Sequence, residues 1–222
     1  MPSHVGLLGG TFDPIHHGHL ICARAAAEQA GLDRLILLPS GDPPHKSAQV
    51  MTDVEARIEM LHLAVKDDPL FEISRFDADR PGPTYTVDTI RHFAEVLGQD
   101  VALAWLIGAD SLAELHTWHR VDELVHACQV LTLVRSGWDT IDWSELTSHV
   151  GEDGVDSLKR GLLYTPAIEV SSSLVRHRVH EQRSIRYLVP SAVAAFIEQT
   201  GLYAAPESSR DLSGAGGRIR KH

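Results

Sequence analysis

Apolar positions along the chain alternate between two patterns. Short continuous runs have the length and character of buried strands: "HVGLLGG" (4–10), "RLILLP" (34–39), "VALAWLI" (101–107), "QVLTLV" (129–134) and "GLLYTP" (161–166). "FEISRF" (71–76) reads as a half-exposed strand. Between these runs the apolar positions take helical spacing. "HLICARAAAEQAG" (19–31) predicts a helix closed by Gly31, and "TVDTIRHFAEVLG" (86–98) another that ends on glycine. Thr52 and Glu55 form a capping-box pattern for a helix running to about Asp67. Further helical segments fall around 121–127, 172–181 and 191–200, the last ending at Gly201.

Strands alternating with helices, the strands being continuously apolar, predict an α/β fold. The expected form is a single Rossmann-like, doubly wound parallel sheet with helices on both faces and a small helical C-terminal part. Ligands of such sheets bind beyond the carboxyl ends of the strands, where the winding direction switches. The loops that follow the predicted strands would converge on that edge. Residues 1–203 read as one domain without internal repeats. Residues 204–222, "AAPESSRDLSGAGGRIRKH", lack apolar periodicity and read as a disordered, mildly basic tail.

Composition narrows the partners. The chain has 222 residues, of which 43% are hydrophobic, enough for a sizeable core. The formal net charge of -10 weighs against nucleic acid and anionic membranes as partners. A small anionic ligand stays open, because a few local donors outweigh a distant field. The chain carries four lysines, Lys46, Lys66, Lys159 and Lys221, so a lysine near a motif is notable. Cys22 and Cys128 sit apart, without metal-type spacing, and read as small buried hydrophobes. The N-terminus has no signal-peptide pattern, and the apolar runs are too short to span a bilayer. A cytoplasmic protein is expected, and a homo-oligomer is compatible with the sequence.

The candidate chemistry centres on "GGTFDPIHHGHL" (9–20). Gly9 and Gly10 end the first strand and let a ligand approach the backbone. Asp13 and Pro14 continue the turn, and His16, His17, Gly18 and His19 lead into a helix. A helix N-terminus after a buried strand suits a phosphate. His16 and His19, three positions apart, share one side of the first turn. Each has an N–H for phosphate oxygens, and protonation would add charge. Zinc would require further ligands that the sequence does not supply nearby, and a purely structural turn is the plain alternative. Neither the Walker nor the Rossmann glycine signature is present. The residues by themselves indicate an anion site at a strand-to-helix turn.

"GGTFDPIHHGH" resembles the N-terminal signature of the nucleotidyltransferase superfamily with an H-x-G-H motif, at His16, Gly18 and His19. "VSSSLVR" (170–176) resembles that superfamily's second signature, I-S-S-T-x-x-R, with Val170 for Ile and Ser173 for Thr. "PSGDPPHK" (39–46), "GPTYTVDT" (82–89), "GADSL" (108–112) and "TWHR" (117–120) resemble, in order, loops of the bacterial nicotinate mononucleotide adenylyltransferases. The resemblance covers about residues 5–203.

It implies transfer of the adenylyl group of ATP to nicotinate mononucleotide, with release of pyrophosphate. His16, His19 and Arg176 would be the catalytic groups. ATP would meet Gly9, Gly10, Thr11, Phe12, Gly18, Gly108, Asp110, Ser171 and Ser172. Nicotinate mononucleotide would meet Ser40, His45, Lys46, Thr86 and Trp118. Mg2+ would bridge phosphate oxygens with few protein ligands. Each assignment has a plainer reading: a helix cap for the serines and Asp110, a solvated loop for Lys46, a core aromatic for Trp118. Phosphopantetheine as acceptor, and a silent nucleotide-binding regulator, are the alternatives. The second is disfavoured by the presence of both histidines and Arg176.

Overall fold

The computed structural model describes residues 3–41, 51–134 and 141–205. Six parallel strands form one sheet: β1 (Ser3–Gly10), β2 (Arg34–Pro39), β3 (Phe71–Ile73), β4 (Val101–Gly108), β5 (Gln129–Val134) and β6 (Leu162–Tyr164). Their order is β3-β2-β1-β4-β5-β6, so the winding reverses between β1 and β4. The expected doubly wound sheet is the observed one.

Side chains alternate along each strand and feed two cores. On one face Val5, Leu7, Leu103, Trp105 and Ile107 pack with α3 (Thr86–Leu97), α5 (Val121–Ala127) and α6 (Trp143–Arg160). On the other, Leu35, Leu37, Ala104 and Leu106 pack with α1 (His17–Ala30), α2 (Val54–Val65), α7 (Ser172–His180) and α8 (Ser191–Thr200). A five-residue α4 (Ala109–Ala113) and a 3-10 turn (Leu115–Thr117) follow β4 directly.

Three details depart from the sequence reading. The third strand stops at Ile73, after which Ser74 N–H bonds Leu37 O and the chain turns away. The helix after Thr52 is capped by Asp53, whose side chain accepts from Glu55 N–H at 2.9 Å, so Thr52 is not the capping residue. Helix α6 has no counterpart among the expected elements. It breaks at Gly151 (φ 70°), and Leu146, Val150, Gly154, Val155 and Leu158 are its buried positions.

The switch point has a particular geometry. β1 pairs with β4 from Ser3↔Val101 to Leu7↔Trp105 and no further. Beyond that, Leu8–Gly10 continue beside β2, while Leu106–Gly108 continue beside β5. The two central strands part over their last three residues and open a crevice at the carboxyl edge.

Candidate active site

The turn after β1 ends in an unusual helix cap. His16 is the N-cap of α1, in extended backbone. Its Nδ1 accepts the His19 N–H at 3.3 Å, and His19 Nδ1 accepts the His16 N–H at 3.3 Å. Two imidazoles thus do the work of a Ser–Glu capping box. The rings stack with centroids 3.7 Å apart, and Phe12 meets His19 edge-on at 5.3 Å. Because both Nδ1 atoms are acceptors, both protons sit on Nε2, and each ring presents an Nε2–H donor.

Burial holds both rings neutral. His16 lies at about 4, lowered first by desolvation and then by His17; His19 lies at about 3, lowered by desolvation and by His16. In the ligand-free chain the expected gain in charge by protonation is therefore absent at neutral pH. Charge for a phosphate must come from another group.

A permanent positive charge, that of Arg176, is seated on the same turn. Its Nη1 donates to Asp13 O at 2.6 Å and its Nη2 to Ser173 Oγ at 3.3 Å. A guanidinium has five N–H groups, so most remain after these two bonds. Ser172 Oγ donates to Pro14 O at 2.9 Å, and Ser171 Oγ caps α7 by accepting the Leu174 N–H at 3.1 Å. Gly18 closes the joint. A Cβ there would lie 3.0 Å from the His16 ring and 3.2 Å from Val170 O, so the two signature segments meet over a residue without a side chain.

The structure places the other predicted residues as follows. Gly9 lies against the Trp105 ring and Gly10 against the Phe12 ring. Phe12 is buried with φ 48°, a left-handed conformation uncommon for a bulky residue. Thr11 O accepts from Arg57 Nη1 at 2.9 Å. Ser40 N–H bonds Gly10 O at 2.9 Å, which sets the end of β2 beside the end of β1. Gly108 and Asp110 are exposed at the end of β4; Gly108 is the N-cap of α4, which has no side-chain cap bond, so Asp110 is not spent as one. Thr86 opens α3, and the neighbouring Tyr85 ring packs 4.2 Å from the His119 ring, which joins the "PTYT" and "TWHR" stretches. Trp118 is partly buried against the first core. His45 and Lys46 lie outside the described residues.

The profile of the cytidylyltransferase-like family matches residues 7–178, a span that starts in β1 and takes in both signatures. The chain belongs to the cytidylyltransferase-like family. It is 41% identical over 202 residues to a Moorella thermoacetica protein named "Probable nicotinate-nucleotide adenylyltransferase", covering 91% of this chain and 92% of that one. It is 40% identical to a Paenarthrobacter aurescens protein of the same name, covering 94% and 95%. Among solved structures it resembles the Plasmodium falciparum nicotinic acid mononucleotide adenylyltransferase complexed with APC, with a TM-score of 0.69 at 15% identity over 90% of this chain and 97% of that one. The same Plasmodium enzyme complexed with NaAD gives 0.67 at 16% identity, covering 90% and 97%.

In this cytidylyltransferase-like chain two groups escaped the sequence reading as parts of the site. Arg57 is fully buried; its Nε donates to Thr52 O at 2.9 Å and its Nη1 to Thr11 O and Ser40 O at 2.9 and 2.8 Å. It ties the loops after β1 and β2 to α2. Asp13, 6% exposed, carries Arg176 on its carbonyl and accepts the Thr52 N–H at 3.4 Å and the Tyr203 hydroxyl at 2.6 Å on its carboxylate. An arginine inside a helical pattern reads as solvated, and an Asp before Pro reads as a turn. The sequence held no signal for Arg57; for Asp13 the signal was its place inside the first signature.

Proposed function

We infer that this chain transfers the adenylyl group of ATP to nicotinate mononucleotide, releasing pyrophosphate and forming nicotinate adenine dinucleotide in NAD biosynthesis. The observation that supports the reading is that one turn carries both the reciprocal His16–His19 cap, with each Nδ1 engaged, and the Asp13 carbonyl on which the Arg176 guanidinium is seated. Relatives at 36–41% identity bear the matching name over most of their length.

The phosphate monoester of nicotinate mononucleotide is itself a competent nucleophile. One of its oxygens bonds to the α-phosphorus of ATP as the bond from that phosphorus to the bridging oxygen of pyrophosphate breaks. No side-chain nucleophile is required, so the protein acts by positioning and by stabilising charge. His16 and His19 donate to the phosphates from Nε2, and Arg176 adds positive charge as the leaving group gains negative charge. Gly9, Gly10, Thr11, Phe12, Gly18, Ser171 and Ser172 supply backbone or hydroxyl contacts around the triphosphate, and Gly108 and Asp110 take the ribose. On the acceptor side, Ser40, His45 and Lys46 hold its phosphate, Thr86 faces its carboxylate, and Trp118 stacks on its pyridine ring.

Mg2+ bound with the nucleotide would supply neutralising positive charge at the phosphates. Asp13, the carboxylate beside the histidines, has both oxygens engaged. Among the described residues no group of three or more His, Cys, Asp or Glu stands close enough to hold a metal. We propose that the nucleotide's own phosphates carry the ion.

The test is pyrophosphate release from ATP and Mg2+ with each of three acceptors. Nicotinate mononucleotide should react with a higher kcat/KM than nicotinamide mononucleotide, since the second lacks the carboxylate. His19→Ala should lose about 10²–10³ in rate, the usual cost of one well-placed donor, while circular dichroism shows the fold retained. Turnover of phosphopantetheine in place of either mononucleotide, or an undiminished His19→Ala rate, refutes the reading.

A further inference from the structure

The last described segment of the chain reaches the site from behind. Tyr203 follows α8 and its Gly201 cap, and its hydroxyl donates to Asp13 Oδ1 at 2.6 Å across 190 positions of sequence. The Thr52 side chain is a second partner of that hydroxyl. Tyr203 is partly buried against the second core. Its backbone sits at φ 63°, a left-handed conformation that a bulky residue keeps only where surrounding contacts hold it.

Asp13 is where this contact becomes functional. Its carboxylate is held between the Tyr203 hydroxyl and the Thr52 N–H, and its carbonyl takes Arg176 Nη1 at 2.6 Å. The two anchors on Asp13 face different partners through one residue, and that residue is 6% exposed. A shift of the carboxylate moves the peptide on which the guanidinium is seated.

A simple stitch for the chain end would explain the partial burial of Tyr203 against that core. It would not require the hydroxyl to end on the residue that seats Arg176. We propose that Tyr203 is a positioning residue for adenylyl transfer: acting through Asp13, its hydroxyl fixes the carbonyl on which Arg176 is set. The direction of the free guanidinium N–H groups toward the triphosphate follows from that seat. The proposal rests on the functional reading above for the role of Arg176.

Tyr203→Phe removes the hydroxyl and keeps the ring in its packing. The expected result is a fall in kcat on the order of tenfold and a loss of ATP affinity of about threefold, since a misaimed guanidinium costs more in the transition state than in the ground state. The deciding measurement is a double-mutant cycle with Arg176→Ala. In the Arg176→Ala background, Tyr203→Phe should change neither kcat nor ATP affinity by more than about twofold. Additive losses would show that the hydroxyl acts independently of Arg176 and overturn the proposal. A wild-type chain that releases no pyrophosphate with nicotinate mononucleotide refutes the functional reading instead. ATP affinity by titration calorimetry needs no acceptor, so the cycle still decides the role of Tyr203 in that case.

Discussion

At the scale of single residues, the site turns on where two protons sit. His16 and His19 give their Nδ1 atoms to the helix cap, which leaves the proton of each neutral ring on Nε2. The pattern H-x-G-H was legible in the sequence; the tautomer was not, because it depends on which backbone N–H each ring caps. Nor was the charge state legible: burial that the spacing does not reveal lowers both values. The consequence for stability has a definite sign. The folded values of about 4 and about 3 lie below the ordinary 6.5. In the unfolded chain these rings bind protons first, so their contribution is complete above pH 6.5 and is lost as pH falls toward 4 and 3. Each ring removes up to about 1.4 kcal/mol per pH unit within its window. Thermal melts of the wild type should steepen downward below pH 6.5, and the His16→Asn, His19→Asn double variant should give a shallower slope. An unchanged slope would assign the effect to other groups.

At the scale of elements, the joint between α1 and α7 depends on a missing side chain. Gly18 lies within the first turn of α1, where alanine is ordinarily worth up to about 1 kcal/mol to a helix. Here the added methyl would press on the His16 ring at 3.0 Å and on Val170 O at 3.2 Å, one of them backbone. Overpacking typically costs about 1–3 kcal/mol, so contact outweighs propensity. Gly18→Ala should lower stability in urea unfolding by about that amount and depress pyrophosphate release more than Tm alone accounts for. A stabilised, fully active variant would contradict it. Most elements were legible because their apolar periods were clear: β1, β2, β4 and β5 are continuous runs, and α1 and α3 end at Gly31 and Gly98. Helix α6 was not, since "GEDG" in its middle carries turn residues and acids; buried Val150 and Val155 on either side of the Gly151 break override them. The cap at Thr52 was misplaced by one residue because Asp53 competes for the same N–H groups.

At the scale of the whole molecule, the site is assembled from segments far apart in the chain, and buried charge holds them in place. Arg57 bridges the carbonyls of Thr11, Ser40 and Thr52. Arg57→Met keeps length and apolar bulk but strands those carbonyls, at a cost of about 3 kcal/mol or more. For a chain of this size that lowers Tm by roughly 6–12 °C, readable by calorimetry. A shift below about 2 °C would mean that the carbonyls find other partners. Neither Arg57 nor the Tyr203–Asp13 bond had a sequence signal, because each depends on neighbours brought close only by the sheet. The carboxyl edge itself was legible, since strands alternating with helices imply a parallel sheet whose following loops share one edge. The parting of β1 from β4 after Leu7 and Trp105 gives that edge a further property. The cleft is cut into the main chain, so its width is inherited with the strand pairing rather than with any particular side chain. Surface residues around it are free to drift, and a new acceptor preference can be built on the rim without redrawing the floor.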